Sequence, residues 1–216
     1  MAKRVKPGYR ALFHGPPGTG KTLTATLLGK YTGRRVFRVD LSRVVSKYIG
    51  ETEKSLSRLF DKAEHKDWIL FFDEADALFG KRTEIRDAHD KYANQEVAYL
   101  LQRIEAYAGL VILATNQRWN VDDAFLRRFQ TTVAFPMPRS EERQALWQQA
   151  FPPQITIAGD VDWREVAGRF ELTGAGIVNV AHFCALEAIA NTTERVDRNA
   201  LEIAIRRELV KGGRTV

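Results

Sequence analysis

Apolar and polar positions alternate along the chain in blocks that predict strands and helices in turn as far as residue 135. Five short segments have strand-like patterns, most of them nearly continuous apolar runs of the kind found in sheets covered on both faces: Tyr9–His14, Arg35–Asp40, Ile69–Phe72, Leu110–Asn116 and Thr131–Phe135. Apolar residues recur every three or four positions after Glu51 and again over Asn94–Tyr107, which indicates helices that bury one face. The pattern predicts an α/β domain with a parallel sheet.

The pattern changes after the segment Pro136-Met137-Pro138, because only helical spacing remains beyond it. Helices are predicted from Ser140, acting as N-cap, to Ala150, over Trp163–Arg169, from a Thr173 cap onward, and over Arg198–Val210. We therefore predict an α/β domain over residues 1–138 and a small all-helical subdomain over 139–216. The first strand lies so close to Met1 that we expect an N-terminal part of the natural protein to be missing.

Composition narrows the class of protein. The chain is 44% hydrophobic and 28% charged, with a net charge of +6, and its longest apolar run, Trp68–Phe72, is too short to span a bilayer. The single cysteine, Cys184, excludes an internal disulfide, and its apolar helical surroundings favour packing over chemistry. These features predict a cytoplasmic protein without a membrane partner. The positive charge permits nucleic acid, but no basic stripe supports it.

A glycine-rich loop follows the first strand and precedes a helix. It has the pattern G-x-x-x-x-G-K-T, and it consists of Gly15, Pro16, Pro17, Gly18, Thr19, Gly20, Lys21 and Thr22, with Leu23 opening the helix. Glycines let backbone N–H groups turn toward a phosphate. Lys21 can reach the β- and γ-phosphates, and Thr22 can offer its hydroxyl to Mg²⁺. The loop predicts a binding site for ATP with Mg²⁺.

Polar residues end two later strands. Asp73 and Glu74 follow Ile69–Phe72, and Asn116 ends the next apolar strand. Ligands of open α/β sheets bind at the carboxyl ends of strands. Asp73 can therefore hold Mg²⁺, and Glu74 can polarise a water for attack on the γ-phosphate. Asn116 is either a hydrogen-bond partner of that water or phosphate, or an ordinary turn residue.

For three segments the sequence is compatible with two interpretations. Tyr48 and Ile49, followed by Gly50, either pack into the core or are presented on a loop to grip a partner. The charged stretch 80–93 is better explained as a solvated loop than as a loop facing a substrate. Arg127 and Arg128 are either surface charges or arginines supplied to a neighbouring subunit's phosphate.

Together, these motifs resemble those of the AAA+ ATPases over nearly the whole chain. Residues 15–22 resemble the Walker A motif, 69–76 Walker B, 114–116 the sensor-1 segment, and 46–60 the pore loop and helix of the protein-remodelling AAA clade. Residues 173–180 are similar to that clade's second sensor region, with Gly174 and Ala175 where other groups carry an arginine. Residues 41–135 also resemble bacterial ATPases, including those that accompany contractile phage-tail-like injection particles.

The resemblance implies a P-loop NTPase three-layer sandwich. Its five-stranded parallel sheet would have the strand of Asn116 between those of the P-loop and the Asp-Glu pair, with a helical lid following. It also implies a homo-oligomeric ring, usually a hexamer, that hydrolyses ATP and threads a protein or peptide substrate through a central pore. The pore would be lined by Lys47, Tyr48, Ile49 and Gly50. Gly174 and Ala175 would contact nucleotide, and Arg127 and Arg128 would act on the next subunit's ATP.

Two other functions compete with protein remodelling. A nucleic-acid-acting AAA+ ATPase of helicase or loader type is compatible with the charge but has no motif in its favour. A non-hydrolysing scaffold is disfavoured because Glu74 and Asn116 both fit hydrolysis. The remodelling clade usually separates its two finger arginines by a Pro-Gly pair, whereas Arg127 and Arg128 are adjacent. The sequence therefore leaves open which of them reaches the phosphate.

Overall fold

The computed structural model describes residues 8–41, 51–76, 88–116 and 126–213, with only the backbone described for 51–53 and 88–96. The chain forms two compact units. The first runs to Phe135 apart from Pro17–Gly20, and the second combines Pro17–Gly20 with Pro136 onward. None of the helices in these ranges is both long and apolar enough to cross a bilayer.

The first unit is built on a five-stranded parallel sheet. The elements of this unit are β1 (Tyr9–His14), α1 (Lys21–Thr32), β2 (Val36–Asp40), α2 (Glu51–Lys66), β3 (Ile69–Asp73), α3 (Ala88–Ala106), β4 (Leu110–Thr115) and β5 (Thr131–Ala134). The strand order is β2-β3-β4-β1-β5. The strand β4, which leads to Asn116, lies between β1 and β3, so the order implied by the resemblance is confirmed.

Both faces of the sheet are buried at its central strands, which explains why β3 and β4 are apolar up to their last residues, Asp73 and Thr115. Alternate residues of β1, β3 and β4 belong to different cores, as the two-residue period of a strand requires. Leu70 and Phe72 of β3 pack in the core that contains Phe60 of α2, whereas Ile69 and Phe71 pack in the core that contains Ala25 of α1. The predicted α/β class is confirmed.

The parallel register brings the polar strand ends together. His14 at the end of β1 pairs with Thr115 at the end of β4, and Phe72 of β3 pairs with Leu113 of β4. The residues that follow these strands therefore leave the sheet at the same edge, which is where open α/β sheets place ligands.

The second unit is mainly helical. It contains α4 (Ser140–Ala150), β6 (Thr156–Ile157), α5 (Trp163–Arg169), α6 (Gly174–Ala190), β7 (Arg195–Val196) and α7 (Arg198–Lys211). Its core surrounds Trp147, which is fully buried and stacks on Trp163 with ring centroids 5.7 Å apart. A helical subdomain is confirmed, but it is not all-helical, because β6 and β7 pair in a short parallel ladder. Two-residue strands are too short to leave a periodic pattern.

Cys184 on α6 is buried in this core, and burial raises the pKa of its thiol to about 11. A thiol with so high a pKa is protonated at neutral pH and is a poor nucleophile. The structure therefore supports the packing interpretation of Cys184.

Two details of the predicted helices are wrong. The helix α3 begins at Ala88, inside the stretch predicted to be a loop, because a charged composition does not distinguish a loop from an exposed helix. The N-cap of α4 is Arg139 rather than Ser140. The carboxylate of Glu142 accepts a hydrogen bond from the Arg139 backbone N–H at 2.7 Å. The predicted Thr173 cap is confirmed, since its hydroxyl accepts from the Gly176 N–H at 3.1 Å.

Candidate nucleotide site

Lys21 is a buried cation at the first turn of α1, only 7% exposed. Its Nζ donates to Gly15 O at 2.6 Å, to Pro16 O at 3.0 Å and to Asn116 Oδ1 at 2.9 Å. An ammonium has three donors, so these contacts use all of them. Desolvation lowers the pKa of Lys21, while the carboxylates of Asp73 and Asp76 act in the opposite direction.

The glycines of the loop have backbone conformations that other residues rarely adopt. Gly15 has a φ of 148°, and a Cβ there would lie 2.0 Å from the Phe135 carbonyl oxygen. Gly20 has a φ of 104°, and no heavy atom lies within 4 Å of the position its Cβ would take. The loop thus needs glycine and has open space beside Gly20. A phosphate chain fits such a loop, since its amides and the start of α1 favour an anion.

The Asp73 carboxylate, at the end of β3, contacts one cationic side chain and two hydrogen-bond donors. Its Oδ2 accepts from Arg38 Nη2 at 2.7 Å and from the Thr22 hydroxyl at 3.5 Å, and its Oδ1 accepts from the Glu74 N–H at 3.0 Å. A hydroxyl beside a carboxylate is a hard-oxygen pair that suits Mg²⁺ when phosphates supply further ligands. Within the described ranges no three His, Cys, Asp or Glu side chains cluster as a metal site. Arg38 was not identified from the sequence.

Glu74 lies directly after this carboxylate with its side chain exposed. Its φ of 54° is in the left-handed region, which costs a residue with a Cβ about 1 kcal/mol. Strain of this kind is concentrated at functional positions. Glu74 therefore combines an exposed carboxylate with a strained backbone at the same edge of the sheet as Asp73.

Asp76 joins the site to the end of β4, and sequence reasoning missed it. Its Oδ1 accepts a hydrogen bond from the Thr115 hydroxyl, and its Oδ2 accepts from the Asn116 N–H at 3.2 Å. The only sequence signal was a third acidic residue close behind the Asp-Glu pair. One edge of the sheet thus carries two contacts, Lys21 with Asn116 and Thr22 with Asp73.

The two adjacent arginines have different surroundings. The guanidinium of Arg128 pairs with the Glu105 carboxylate, and Arg10 donates from Nε to Arg128 O at 3.1 Å and from Nη1 to Glu105 O at 2.9 Å. Arg127 is exposed and makes no ion pair or hydrogen bond with the described residues. Both arginines line an open pocket of about 270 Å³ together with Arg10, Glu105, Phe129 and Gln130.

In the second unit, Gly174 and Ala175 lie next to the loop residue Gly18. The Ala175 N–H donates to Gly18 O at 3.1 Å, and a Cβ at Gly18 would lie 2.7 Å from the Thr173 hydroxyl.

Leu23 is exposed in the first turn of α1, so only its backbone is suited to a phosphate. The predicted pore-loop residues Lys47, Tyr48, Ile49 and Gly50 lie outside the described residues.

Comparison with known proteins agrees with this arrangement. Residues 11–137 match the model of the ATPase family associated with various cellular activities (AAA). A proteasome-activating nucleotidase 2 of Halobacterium salinarum is 30% identical over 96% of this chain and 52% of its own length. A katanin p60 ATPase-containing protein of Danio rerio is 32% identical over 85% of this chain and 40% of its own length.

A solved structure described as the structural basis for katanin self-assembly matches the fold. It has a TM-score of 0.74 at 24% identity and covers 93% of this chain and 72% of its own. The chain spans about half the length of the curated relatives named above. Since the family model matches more than half of the chain, over the residues that carry the loop, the Asp-Glu pair and Asn116, the protein belongs to the AAA family of ATPases.

Proposed function

We propose that this chain is the ATP-hydrolysing module of a protein-remodelling ATPase that works as a ring. The observation that carries the proposal is the direct contact of Lys21 with Asn116, beside the Thr22–Asp73 pair. Family membership supports ATP as the substrate. The names of the relatives, which include proteasome-activating and katanin ATPases, support action on proteins.

Binding of ATP would use the loop amides and Lys21 for the phosphates, with Gly174 and Ala175 beside Gly18. Thr22 and Asp73 would hold Mg²⁺, which neutralises phosphate charge as the γ-phosphoryl group leaves. Lys21 is suited to its part because the partly desolvated ammonium strongly favours an anionic partner.

Hydrolysis would use Glu74 as the base that accepts a proton from the attacking water. Asn116 would hydrogen-bond the γ-phosphate or that water, so its hydrogen bonding would depend on whether the γ-phosphate is present. Because Glu74 is exposed and follows Asp73 directly, its carboxylate could approach a water beside the γ-phosphate. Both residues favour a hydrolysing enzyme over a nucleotide-gated scaffold.

Arg127 is our choice for the arginine that acts on the ATP of a neighbouring protomer. Arg128 is held within its own protomer by Glu105 and, through its carbonyl, by Arg10. Reaching a neighbour would require breaking that ion pair. Arg127 is exposed and engages no described residue, so it can pair with a phosphate without such a loss.

The pore-loop part of the proposal rests on sequence. Lys47, Tyr48, Ile49 and Gly50 would line the pore of a hexameric ring and pull on an unfolded segment of a protein. The narrower likeness to ATPases of contractile injection particles, and the cytoplasmic location, stay predictions.

The first experiment measures how steady-state ATPase activity per protomer depends on protein concentration, with Arg127→Ala and Arg128→Ala in parallel. We expect the activity per protomer to rise with concentration. Arg127→Ala should abolish that rise and lower kcat on the order of 10³-fold, because the transition-state charge loses its partner. Arg128→Ala should have a smaller effect. Arg35→Ala, which removes an exposed arginine from the chain before β2, is the matched control.

A second arm of the assay adds an unfolded protein substrate. The variant Tyr48→Ala should keep basal turnover and lose substrate processing. Concentration-independent activity that neither arginine affects would contradict a ring with a trans arginine. Nucleotide binding without turnover at any concentration would favour the scaffold function instead. Processing by Tyr48→Ala at the wild-type rate would return Tyr48 to the core interpretation.

A further inference from the structure

Asp76 uses both carboxylate oxygens to hold the end of β4. One accepts from the Thr115 hydroxyl and the other from the Asn116 backbone N–H at 3.2 Å. The segment before Asp76 is already attached to β4, because the Ala75 N–H donates to Ala114 O at 2.8 Å. The contacts of Asp76 therefore add little to the connection of the two strands. They fix instead the residue from which the Asn116 side chain departs.

The position of Asn116 matters because of Lys21. The three donors of Lys21 Nζ are used by Gly15 O, Pro16 O and Asn116 Oδ1. A direct contact between Lys21 and a phosphate oxygen requires one of these acceptors to be exchanged. The two carbonyls belong to the backbone of the loop, whereas the Asn116 amide can turn about its side-chain bonds.

We propose that Asp76 is a positioning residue for ATP hydrolysis: it fixes the Asn116 backbone, so that only the side chain moves when Asn116 changes partner from Lys21 to phosphate. The inference rests on the proposed function, since it assigns Asn116 to the γ-phosphate. With its backbone fixed, the Asn116 amide has two defined placements instead of a broad range. Catalysis depends strongly on such placement, since displacement by about 1 Å can cost about a hundredfold in rate.

The substitutions at Asp76 separate hydrogen bonding from charge. Asp76→Ala removes both acceptors. Asp76→Asn keeps both contacts, because its amide N–H₂ can donate to the Thr115 hydroxyl while its oxygen accepts from the Asn116 N–H. Thr115→Val removes one contact at nearly constant shape. Glu64→Ala removes an exposed carboxylate from α2 and is the matched control.

We expect Asp76→Ala to lower kcat about tenfold to a hundredfold while the affinity for ADP changes less than about threefold. Asp76→Asn should stay within about threefold of the wild type, with Thr115→Val in between. In an Asn116→Ala background, Asp76→Ala should add less than about twofold, because it acts through a side chain that is already absent. Circular dichroism and thermal melting show which variants are folded.

The outcomes separate this inference from the proposed function. Wild-type kcat in folded Asp76→Ala, or an effect that multiplies fully with that of Asn116→Ala, would overturn the positioning role. If Asp76→Ala does not fold, a wild-type kcat in Thr115→Val overturns it equally. If the wild type binds ATP without turnover, the proposed hydrolytic function is wrong. The positioning role of Asp76 is then tested by measuring the ratio of ATP affinity to ADP affinity in each variant. A ratio unchanged by Asp76→Asn and lowered by Thr115→Val supports the inference, and a ratio unchanged in every variant contradicts it.

Discussion

Lys21 in the α/β unit and Arg143 in the helical unit are equally buried cations, each 7% exposed, but their partners differ. Arg143 donates only to backbone carbonyls, from Nε to Ala167 O at 2.9 Å and from Nη1 to Pro138 O at 2.5 Å. Lys21 has loop carbonyls and the side chain of Asn116, with acidic residues close by. Burial alone therefore does not mark a functional cation. Lys21 differs from Arg143 in having the side chain of Asn116 as a partner and acidic residues nearby.

The largest effect that tests this contrast is expected for Lys21→Met. We expect ATP affinity to fall at least about a hundredfold, because charge-assisted contacts to phosphate are lost. The free energy of unfolding should change by less than about 1 kcal/mol, since Gly15 and Pro16 are partly exposed and water can replace the ammonium at their carbonyls. Titration with a fluorescent nucleotide and denaturant unfolding measure the two quantities. Lys30→Met, at an exposed lysine of α1, is the control, and its affinity should equal that of the wild type.

Arg143→Met should have the opposite effects, with a lower free energy of unfolding and an unchanged affinity for ATP. Two carbonyl groups lose their partner in a packed unit, so we expect the free energy of unfolding to fall by about 2–4 kcal/mol. Urea unfolding followed by tryptophan fluorescence suits the measurement, because Trp147 and Trp163 lie in the core of that unit. An unfolding free energy equal to that of the wild type would remove the structural role of Arg143.

The smallest effect concerns the cap of the helix that carries Arg143. Hydrogen bonds from the backbone and side chain of Arg139 lower the pKa of Glu142 below its ordinary value of 4.5. The ionised carboxylate therefore stabilises the folded state above pH 4.5, and this contribution is lost as the pH falls through the lowered pKa. The melting temperature of Glu142→Gln should lie below that of the wild type at neutral pH and converge with it in acid. A constant difference across that range would contradict the cap.

Much of the site could be predicted because each of its parts is local in sequence. The loop 15–22 needs glycines followed by Lys21 and Thr22, and Asp73 directly follows a continuous apolar run. Parallel strands then place such segments at one edge without further information. The strand order within the sheet came from the family resemblance and not from the apolar pattern.

The contacts that could not be predicted join residues far apart in sequence. Arg38 reaches Asp73 from a neighbouring strand, and Asp76 reaches Asn116 across forty positions. Arg10 reaches the Arg128 carbonyl from more than a hundred residues away. Charged residues at such positions have the same local pattern as ordinary surface charges, so only the register of the sheet shows which of them meet.

The strained backbone of Glu74 lowers the stability of the fold at the position where we propose the catalytic base. A glycine accepts a φ of 54° without the steric cost that a Cβ imposes. Screening variants for heat resistance alone would therefore tend to enrich Glu74→Gly, and the proteins recovered would lack the carboxylate that we propose as the base for ATP hydrolysis. Any effort to engineer a more robust form of this module should therefore hold position 74 constant or select for turnover together with melting temperature.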